Sequence, residues 1–483
     1  MLFNSISFLI FFPIVLFTYY LLAQKYRWLW LLLASCFFYM FFKPEYILIL
    51  FFTIVIDFFV GIKIESCTDQ KSRKAWLIAS IIANIGVLAI FKYYNFINEN
   101  ITGLAQLFHL KNPIPALTIL LPIGLSFHTF QAMSYTIEVY RGNQKAERHF
   151  GIYSLYVMFF PQLVAGPIER PQNIIHQLKA EHKATYENLR DGSKWILWGL
   201  FKKICIADRL AFFVNEVYNN PGEHNGFQSL IAVIFFSFQI YCDFSAYSDI
   251  AIGTAKMLGI DLMKNFNRPY ASNSIAIFWT RWHISLSSWF KDYLYIPLGG
   301  NRNKWYITYR NILIVFLLSG LWHGASWTFL IWGLLHGLAV IVESIWMKIK
   351  TKIWTEKNNN QVSFISNQIS IVCIFIFVTF AWIFFRAKNF ADVKQVLVNI
   401  RHLHIVDFSF TAFGKYTSFD FKLAILLLIF LELIQYLTRD KDVVTMTSSL
   451  KSPIRWAIYI ILTFFILFFG AFHQSKEFIY FQF

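Results

Sequence analysis

The sequence predicts an all-α polytopic membrane protein, built as a single helical domain over residues 1–483. Three observations support this fold class. Charged residues make up only 14% of the chain, whereas a soluble domain has about 25%. Hydrophobic residues make up 57% of the chain and aromatic residues 20%. Apolar runs long enough to cross a bilayer recur from one end to the other, with no long polar block between them.

The individual spans follow from the length of each apolar run, because a helix needs about 20 apolar residues to cross the hydrocarbon core. Three other stretches, 150–166, 189–214 and 275–295, are apolar but interrupted by proline, glycine or charge, so we expect re-entrant or interfacial pieces there. The total is about eleven to thirteen membrane segments. The clear candidates are 5–24, 28–42, 45–62, 76–96, 117–140, 228–256, 305–322, 324–347, 364–385, 421–438 and 454–472.

The net charge of +16 favours contact with a membrane surface rather than with nucleic acid. The basic residues lie mostly in short loops between apolar runs, which is typical of cytoplasmic loops. Lys25 and Arg27 follow the first run, whereas loops 43–44 and 97–113 carry few positive charges. This alternation predicts a multi-pass protein whose N-terminus lies outside the cell. The late polar stretch 386–420 is predicted to be a solvated loop.

The chemistry is predicted to need neither a metal nor a bound cofactor. The five cysteines show no CxxC pair and no metal-ligand spacing. The sequence also contains neither a Walker loop nor a GxSxG motif. An intramembrane histidine without a serine or cysteine nucleophile fits general-base catalysis better than a covalent intermediate.

The stretch 274–337 places histidines, an arginine and Trp-His pairs in segments apolar enough for a membrane. An ionisable side chain at the centre of a membrane helix costs about 2.5–3.5 kcal/mol on insertion scales, so such residues are candidates for function. His323, in LSGLWHGASW, lies between Gly320 and Gly324. A neutral imidazole can take a proton from an alcohol. The alternative is a histidine that hydrogen-bonds a neighbouring helix.

His283, in FWTRWHISLS, is the second candidate. If 275–290 is one helix, Trp279, His283 and Ser287 share a face. Arg281 then points elsewhere, where it could reach a phosphate or a lipid headgroup. The alternative is an interfacial histidine among tryptophan anchors.

Two further residues have open roles. His336 lies 13 residues after His323, which on one continuous helix is about 20 Å of rise. We therefore predict a structural or channel-lining role for His336. Asp243, in FQIYCDFSAYSDIAIG, either orients a catalytic histidine and lines a water path or belongs to an interhelical hydrogen-bond network. For Asp249 in the same run, we predict the network.

Five motifs resemble the membrane-bound O-acyltransferase family, and within it the branch of the alginate O-acetyltransferase membrane subunit. The resemblance covers most of the chain, with core motifs in 118–347 and C-terminal helices in 364–472. It implies a bundle of about eleven spanning helices with re-entrant pieces around a central tunnel. The motifs are LPIGLSFHTFQAMSY at 121–135, FPQLVAGPIERP at 160–171, YCDFSAYSDIAIG at 241–253, FWTRWHISLSSWFKDYLYIPLGGNR at 278–302 and LWHGASWTFLIWGLLHG at 321–337.

The resemblance also implies an activity. His323, in the WHG motif, matches the family's invariant histidine, and His283, in the WHI motif, matches its second functional position. An acyl group, expected to be acetyl, would enter the tunnel on a cytoplasmic thioester, expected to be acetyl-CoA, and leave outside. The residues expected to line the tunnel or contact substrate are Asp243, Trp282, Arg281, Trp322 and Ser287.

The implied acceptor is an extracytoplasmic polysaccharide: an alginate-like exopolysaccharide, peptidoglycan or another surface glycan. A separate extracytoplasmic acetyltransferase partner at the bacterial cytoplasmic membrane would complete the transfer. Direct transfer and a covalent acyl relay both remain open. The alternatives are D-alanyl-type transfer from a carrier protein, a transporter or permease that uses intramembrane His and Asp, and a scaffold for polysaccharide export.

Overall fold

A computed structural model describes most of the chain, and helix is the only regular secondary structure in the residues that it describes. The predicted all-α class is therefore confirmed. The described residues are 1–118, 122–353, 360–404, 417–472 and 478–479.

The described helices include six that are long and apolar enough to cross a membrane. The chain is therefore a multi-pass membrane protein. These six are Pro44–Ser66, Gln70–Leu107, Gly226–Met257, Trp327–Lys350, Ile365–Arg386 and Ser452–Phe469.

The chain divides into two compact units. The first comprises Met1–Ile196 and Ile250–Met263, and the second comprises Leu197–Asp249 and Lys264–Phe483. The helices that begin in the first unit are α1 Ile6–Leu21, α2 Gln24–Met40, α3 Ile47–Ser66, α4 Gln70–Leu88, α5 Tyr94–Leu107, α6 Leu125–Arg141, α7 Phe150–Met158, α8 Phe160–Leu163, α9 Pro171–Lys179 and α10 Tyr186–Leu200.

The second unit contains the start of every later helix. Short 3₁₀ or π-helical pieces also occur at Pro44–Tyr46, Ala89–Tyr93, Phe201–Ala207, Pro221–Glu223, Pro269–Ala271 and Lys291–Tyr295. The later helices are α11 Asp208–Asn219, α12 Gly226–Met257, α13 Ile275–Arg281, α14 Ile284–Phe290, α15 Trp305–His323, α16 Trp327–Ile353, α17 Asn360–Arg386, α18 Phe390–Arg401, α19 Ser418–Leu437, α20 Val443–Ser449 and α21 Ser452–Phe469.

Two predicted loops contain helices. Much of 97–113 belongs to α5, because α4 continues through the π-helical segment Ala89–Tyr93 instead of ending. Within 386–420, α18 begins at an N-cap where the Asn389 side chain accepts a hydrogen bond from the Asp392 amide at 2.9 Å. Residues 405–416 of that predicted loop lie outside the described part of the chain.

The predicted span 117–140 starts later than expected. Helix α6 begins at Leu125, after Gly124 adopts a left-handed φ of 76° as its N-cap. Its first predicted residues include 119–121, which lie outside the described residues.

Buried polar side chains connect α3, α4 and α6 in the first unit. The Asp57 carboxylate accepts hydrogen bonds from Ser80 Oγ at 2.6 Å and from Asn84 Nδ2 at 2.8 Å. Ser80 Oγ also lies 3.0 Å from Thr136 Oγ1. All four side chains are buried, so these hydrogen bonds replace ones that the surrounding lipid could not supply.

Glycines bring α15 and α16 into close contact in the second unit. A Cβ atom on Gly320 would collide with the carbonyl oxygen of Phe329, and one on Gly333 with that of Phe316. A Cβ on either glycine would lie only 3.5 Å from the Cα of the other. The two helices therefore form a tight hairpin, and His323 is the last residue of its first helix.

Candidate active site

His323 lies in an aromatic enclosure at the C-terminal end of α15. Its ring centroid is 4.9 Å from that of Trp322, 5.1 Å from Trp332 and 5.2 Å from Phe385. Only 3% of the residue is exposed. Three aromatic rings therefore surround the imidazole and leave little of it open to solvent.

His283 lies at a break between two short helices. It is the N-cap of α14, and its backbone is in the left-handed region, with φ of 43°. Residues 275–290 therefore do not form one continuous helix, so the condition for a shared face is not met and Trp279, His283 and Ser287 do not lie on one helical face. The Trp279 ring instead packs against His336, with centroids 4.9 Å apart.

Asn265 holds His283 in place. His283 Nδ1 lies 3.2 Å from Asn265 Oδ1, and the same oxygen accepts hydrogen bonds from the Ser285 amide at 3.1 Å and from Ser285 Oγ at 3.0 Å. The main-chain carbonyl of Asn265 accepts a further hydrogen bond, from the Ile284 amide at 2.9 Å. Asn265 was not predicted from the sequence, because nothing in its local sequence marks a loop asparagine 18 residues before the histidine.

The two candidate histidines lie side by side. Their ring centroids are 6.4 Å apart, and their planes are inclined at 61°. The Trp322 ring lies 6.0 Å from the His283 ring, so it contacts both imidazoles. Both histidines are buried within the second unit. Residues 40 positions apart in sequence thus come together in one buried pair.

His336 is closer to this pair than the sequence predicted. Its predicted separation from His323 assumed one continuous helix, which is wrong because the chain reverses between α15 and α16. Trp332 packs against both histidines, with centroid distances of 5.1 Å to His323 and 5.0 Å to His336. His336 itself is fully buried among aromatic rings.

Trp282 is part of the aromatic core of the second unit. Its ring stacks on Phe278 at 5.6 Å and packs against Trp382 at 5.1 Å. It is completely buried. These contacts give Trp282 a packing role beside the histidine, whereas Trp322 contacts both imidazoles directly.

Arg281 and Ser287 bond to nearby backbone carbonyls. Arg281 Nη1 donates to the Ala271 carbonyl at 3.1 Å. Ser287 Oγ donates to the Trp282 carbonyl at 3.1 Å. Arg281 therefore ties the end of α13 to the segment that precedes that helix, and Ser287 braces the turn between α13 and α14. Their predicted roles as tunnel-lining residues stay predictions.

Asp243 belongs to a buried ion-pair network. Lys203 Nζ lies 2.8 Å from carboxylate oxygens of both Asp243 and Asp208. The other Asp243 oxygen accepts a hydrogen bond from the Ile479 amide at 2.7 Å. These contacts agree with the network alternative for Asp243, while Asn265 holds the His283 ring.

A second buried lysine has its own set of polar contacts. Lys202 Nζ lies 2.8 Å from Asp249 and 2.7 Å from Ser245 Oγ, in line with the network predicted for Asp249. Neither lysine was predicted to take part. The sequence feature that could have indicated them is the adjacent pair of lysines in the apolar stretch 189–214.

Comparison with known proteins identifies the family. The model of the membrane-bound O-acyltransferase family matches residues 143–387, a range that includes both histidines. The chain belongs to this family. The protein is therefore an O-acyltransferase, and the transporter and scaffold alternatives lose their support.

Several relatives of this acyltransferase match most of its length. It is 38% identical to the probable alginate O-acetylase AlgI of Pseudomonas aeruginosa over 398 residues, 80% of this chain and 72% of the relative. It is 38% identical to the peptidoglycan O-acetyltransferase of Helicobacter pylori over 429 residues, 82% and 79% of the two chains. The teichoic acid D-alanyltransferase of Bacillus subtilis is 27% identical over 333 residues, 66% of this chain and 80% of the relative.

The described residues of this acyltransferase contain no group of three His, Cys, Asp or Glu side chains placed to hold a metal ion. Imidazole groups act as general bases or acids in many enzymes, and acyl transfer to a hydroxyl group requires removal of the hydroxyl proton.

Proposed function

We propose that this acyltransferase moves an acetyl group from cytoplasmic acetyl-CoA towards an extracytoplasmic polysaccharide. The observation that carries the proposal is the buried pair His323 and His283, with ring centroids 6.4 Å apart. The names of two relatives, an alginate O-acetylase and a peptidoglycan O-acetyltransferase, support an acceptor of the alginate or peptidoglycan class.

In the proposed reaction, His323 is the general base. Its ring takes the proton of an acceptor hydroxyl as the oxygen attacks the thioester carbonyl. The tetrahedral intermediate collapses, the C–S bond breaks, and the thiolate of CoA leaves and is protonated by the imidazolium. His283 contacts the bound donor or acceptor, and the aromatic enclosure limits access of water that would hydrolyse the thioester.

The proposal includes a topology and a partner. The protein would lie in the cytoplasmic membrane with its N-terminus outside, as the distribution of basic loops predicts. A separate extracytoplasmic acetyltransferase would receive the acetyl group and modify the polysaccharide. Either a hydroxyl of that partner or the glycan itself could be the acceptor that His323 deprotonates.

The test is acyl transfer from acetyl-CoA labelled in its acetyl group, with purified protein in lipid nanodiscs and a membrane extract that supplies acceptor and partner. We expect wild type to release CoA and to transfer label, and His323→Ala to lose both. His402→Ala is a matched control, because His402 is an exposed histidine of the second unit. Release of CoA at the same rate by His323→Ala would overturn the proposed mechanism.

D-alanyl transfer from a carrier protein is the second candidate function. It is supported by the similarity to a teichoic acid D-alanyltransferase, at 27% identity. The higher identity to two O-acetyltransferases, 38% in each case, favours acetyl transfer. Supplying a D-alanyl-loaded carrier protein in place of acetyl-CoA in the same assay distinguishes the two.

A further inference from the structure

The hydrogen bonds around Asn265 determine which nitrogen of His283 carries a proton. The Ser285 backbone N–H can only donate, so the Asn265 atom that it contacts at 3.1 Å is the carbonyl oxygen. His283 Nδ1 lies 3.2 Å from that same oxygen, which can only accept. Nδ1 must therefore be the donor. In a neutral imidazole, Nε2 then carries the lone pair.

The surroundings of His283 hold its ring in this orientation. The main-chain carbonyl of Asn265 accepts a hydrogen bond from the Ile284 amide at 2.9 Å. Asn265 is therefore bonded both to the backbone just after His283 and, through its side chain, to the His283 ring. Phe244 packs edge-on against the imidazole, with centroids 4.6 Å apart and planes at 88°. Asn265 is 1% exposed and His283 is fully buried, which shields the bond between them from water.

We propose that Asn265 is a positioning residue that holds His283 in the Nδ1–H tautomer, so that Nε2 accepts a hydrogen bond in the acyl-transfer site. The inference rests on the proposed function. It also restricts the role of His283 in the proposed reaction, because a neutral His283 in this tautomer cannot donate a hydrogen bond from Nε2 to an oxyanion. His283 instead accepts from an N–H or O–H group, such as an amide of the pantetheine arm of the donor or the acceptor hydroxyl.

The tautomer can be measured without any turnover. Solid-state NMR of nanodisc samples labelled with ¹⁵N-histidine distinguishes protonated from unprotonated ring nitrogens. The His283 signals are assigned by their loss in His283→Asn. We expect a protonated Nδ1 and an unprotonated Nε2 in wild type, and a changed or mixed population in Asn265→Leu. A protonated Nε2 with an unprotonated Nδ1 in wild type overturns the inference, whether or not the protein transfers acetyl groups.

Kinetics test whether Asn265 acts through His283. A partner that orients a functional histidine typically contributes about 10–100-fold to activity, and we expect that loss in kcat for Asn265→Leu. Asn273→Leu is the matched control, because Asn273 is exposed and bonds Asn367 at 2.6 Å. In a His283→Asn background, Asn265→Leu should cause no further loss. An equal further loss there would mean that Asn265 only supports the fold, which contradicts the inference.

A conservative variant keeps the test decisive if Asn265→Leu does not fold. Asn265→Asp retains an oxygen acceptor but adds a negative charge, which raises the pKa of His283 by stabilising its protonated form. Since the neutral form is the active one, the acidic limb of the pH–rate profile should move to higher pH. An unchanged profile contradicts the inference.

Discussion

Each of the two units has a buried polar cluster, and the two clusters differ in what surrounds the polar atoms. In the first unit, Asp57 receives hydrogen bonds from Ser80 and Asn84 at 2.6 and 2.8 Å, from helices packed beside its own. In the second, His323 and His283 face one another within rings of tryptophan and phenylalanine. Both clusters place polar atoms where lipid offers no hydrogen bond.

The comparison contrasts a structural use of buried polar groups with the catalytic use that we propose for the histidine pair. Neutral hydroxyl and amide donors around a carboxylate hold helices together. A pair of imidazoles in an aromatic enclosure can instead exchange protons with a bound substrate. Polarity within an apolar helix therefore does not by itself indicate catalysis, and the identity of the neighbouring groups decides between the two uses. The following predictions test that distinction, from the largest effect to the smallest.

Loss of His323 should have the largest effect. We expect His323→Ala to lower kcat by about 10²–10⁴-fold, the usual contribution of a general base. The melting temperature of His323→Ala should stay close to that of wild type, so that the loss of kcat cannot be explained by unfolding. The measurement is CoA release per folded molecule, with melting followed by intrinsic fluorescence. Activity above a tenth of the wild-type value would remove His323 from the reaction.

Loss of Lys203 should lower stability rather than activity. Lys203 pairs with Asp243 of α12, the helix whose Phe244 packs against His283. Lys203→Met leaves Asp208 and Asp243 buried without their shared cation. Breaking a buried ion pair in this way typically costs about 3–5 kcal/mol. Denaturant unfolding in detergent micelles measures the free energy of unfolding, and Lys203→Arg, which keeps the charge, serves as the control. If Lys203→Met is as stable as wild type, the ion-pair network does not stabilise the second unit.

Loss of Asp57 should cause a smaller loss of stability and no loss of chemistry. Asp57→Leu removes two hydrogen bonds, but Ser80 Oγ keeps its contact with Thr136 Oγ1 and Asn84 Nδ2 keeps its bond to the Ser80 carbonyl, each at 3.0 Å. Each lost hydrogen bond typically contributes about 0.5–1.5 kcal/mol. Activity per folded molecule should stay within about threefold of wild type, since surrounding structure is retained in most such variants. A tenfold fall in kcat with unchanged stability would contradict a purely structural role for the Asp57 cluster.

Loss of the Ser287 hydroxyl should have the smallest effect. Its Oγ donates to a carbonyl that borders the turn, Trp282 O, at 3.1 Å. We expect Ser287→Ala to change stability by less than about 1 kcal/mol and kcat by less than about threefold. A loss as large as that of His323→Ala would instead place Ser287 against the substrate.

The parts of the site that the sequence predicted are those marked by local motifs. The Trp-His pairs at 282–283 and 322–323 are enough to single out both histidines. The return of Trp332 and His336 towards His323 depended on the reversal between α15 and α16, which Gly320 and Gly333 allow through close helix contact. Those glycines were visible in the sequence, but their partners across the hairpin were not.

The parts that the sequence did not predict depend on contacts between distant residues or on backbone geometry. The break at His283 has neither proline nor glycine beside it, so the local sequence does not mark the position at which the interrupted stretch 275–295 breaks. Asn265 resembles any loop asparagine until Ser285 and His283 meet its side-chain oxygen. The start of α18 was visible as an asparagine cap followed by Asp392, but the polar composition of the region favoured a loop.

The left-handed backbone at position 283 also limits which side chains the position can accept. Histidine, asparagine and aspartate adopt positive φ more readily than most residues, whereas β-branched residues are strongly disfavoured there. A saturation library at this position should therefore separate two properties. Glycine and asparagine should be recovered among the well-folded variants, valine and isoleucine among the unstable ones, and only histidine among those with full activity.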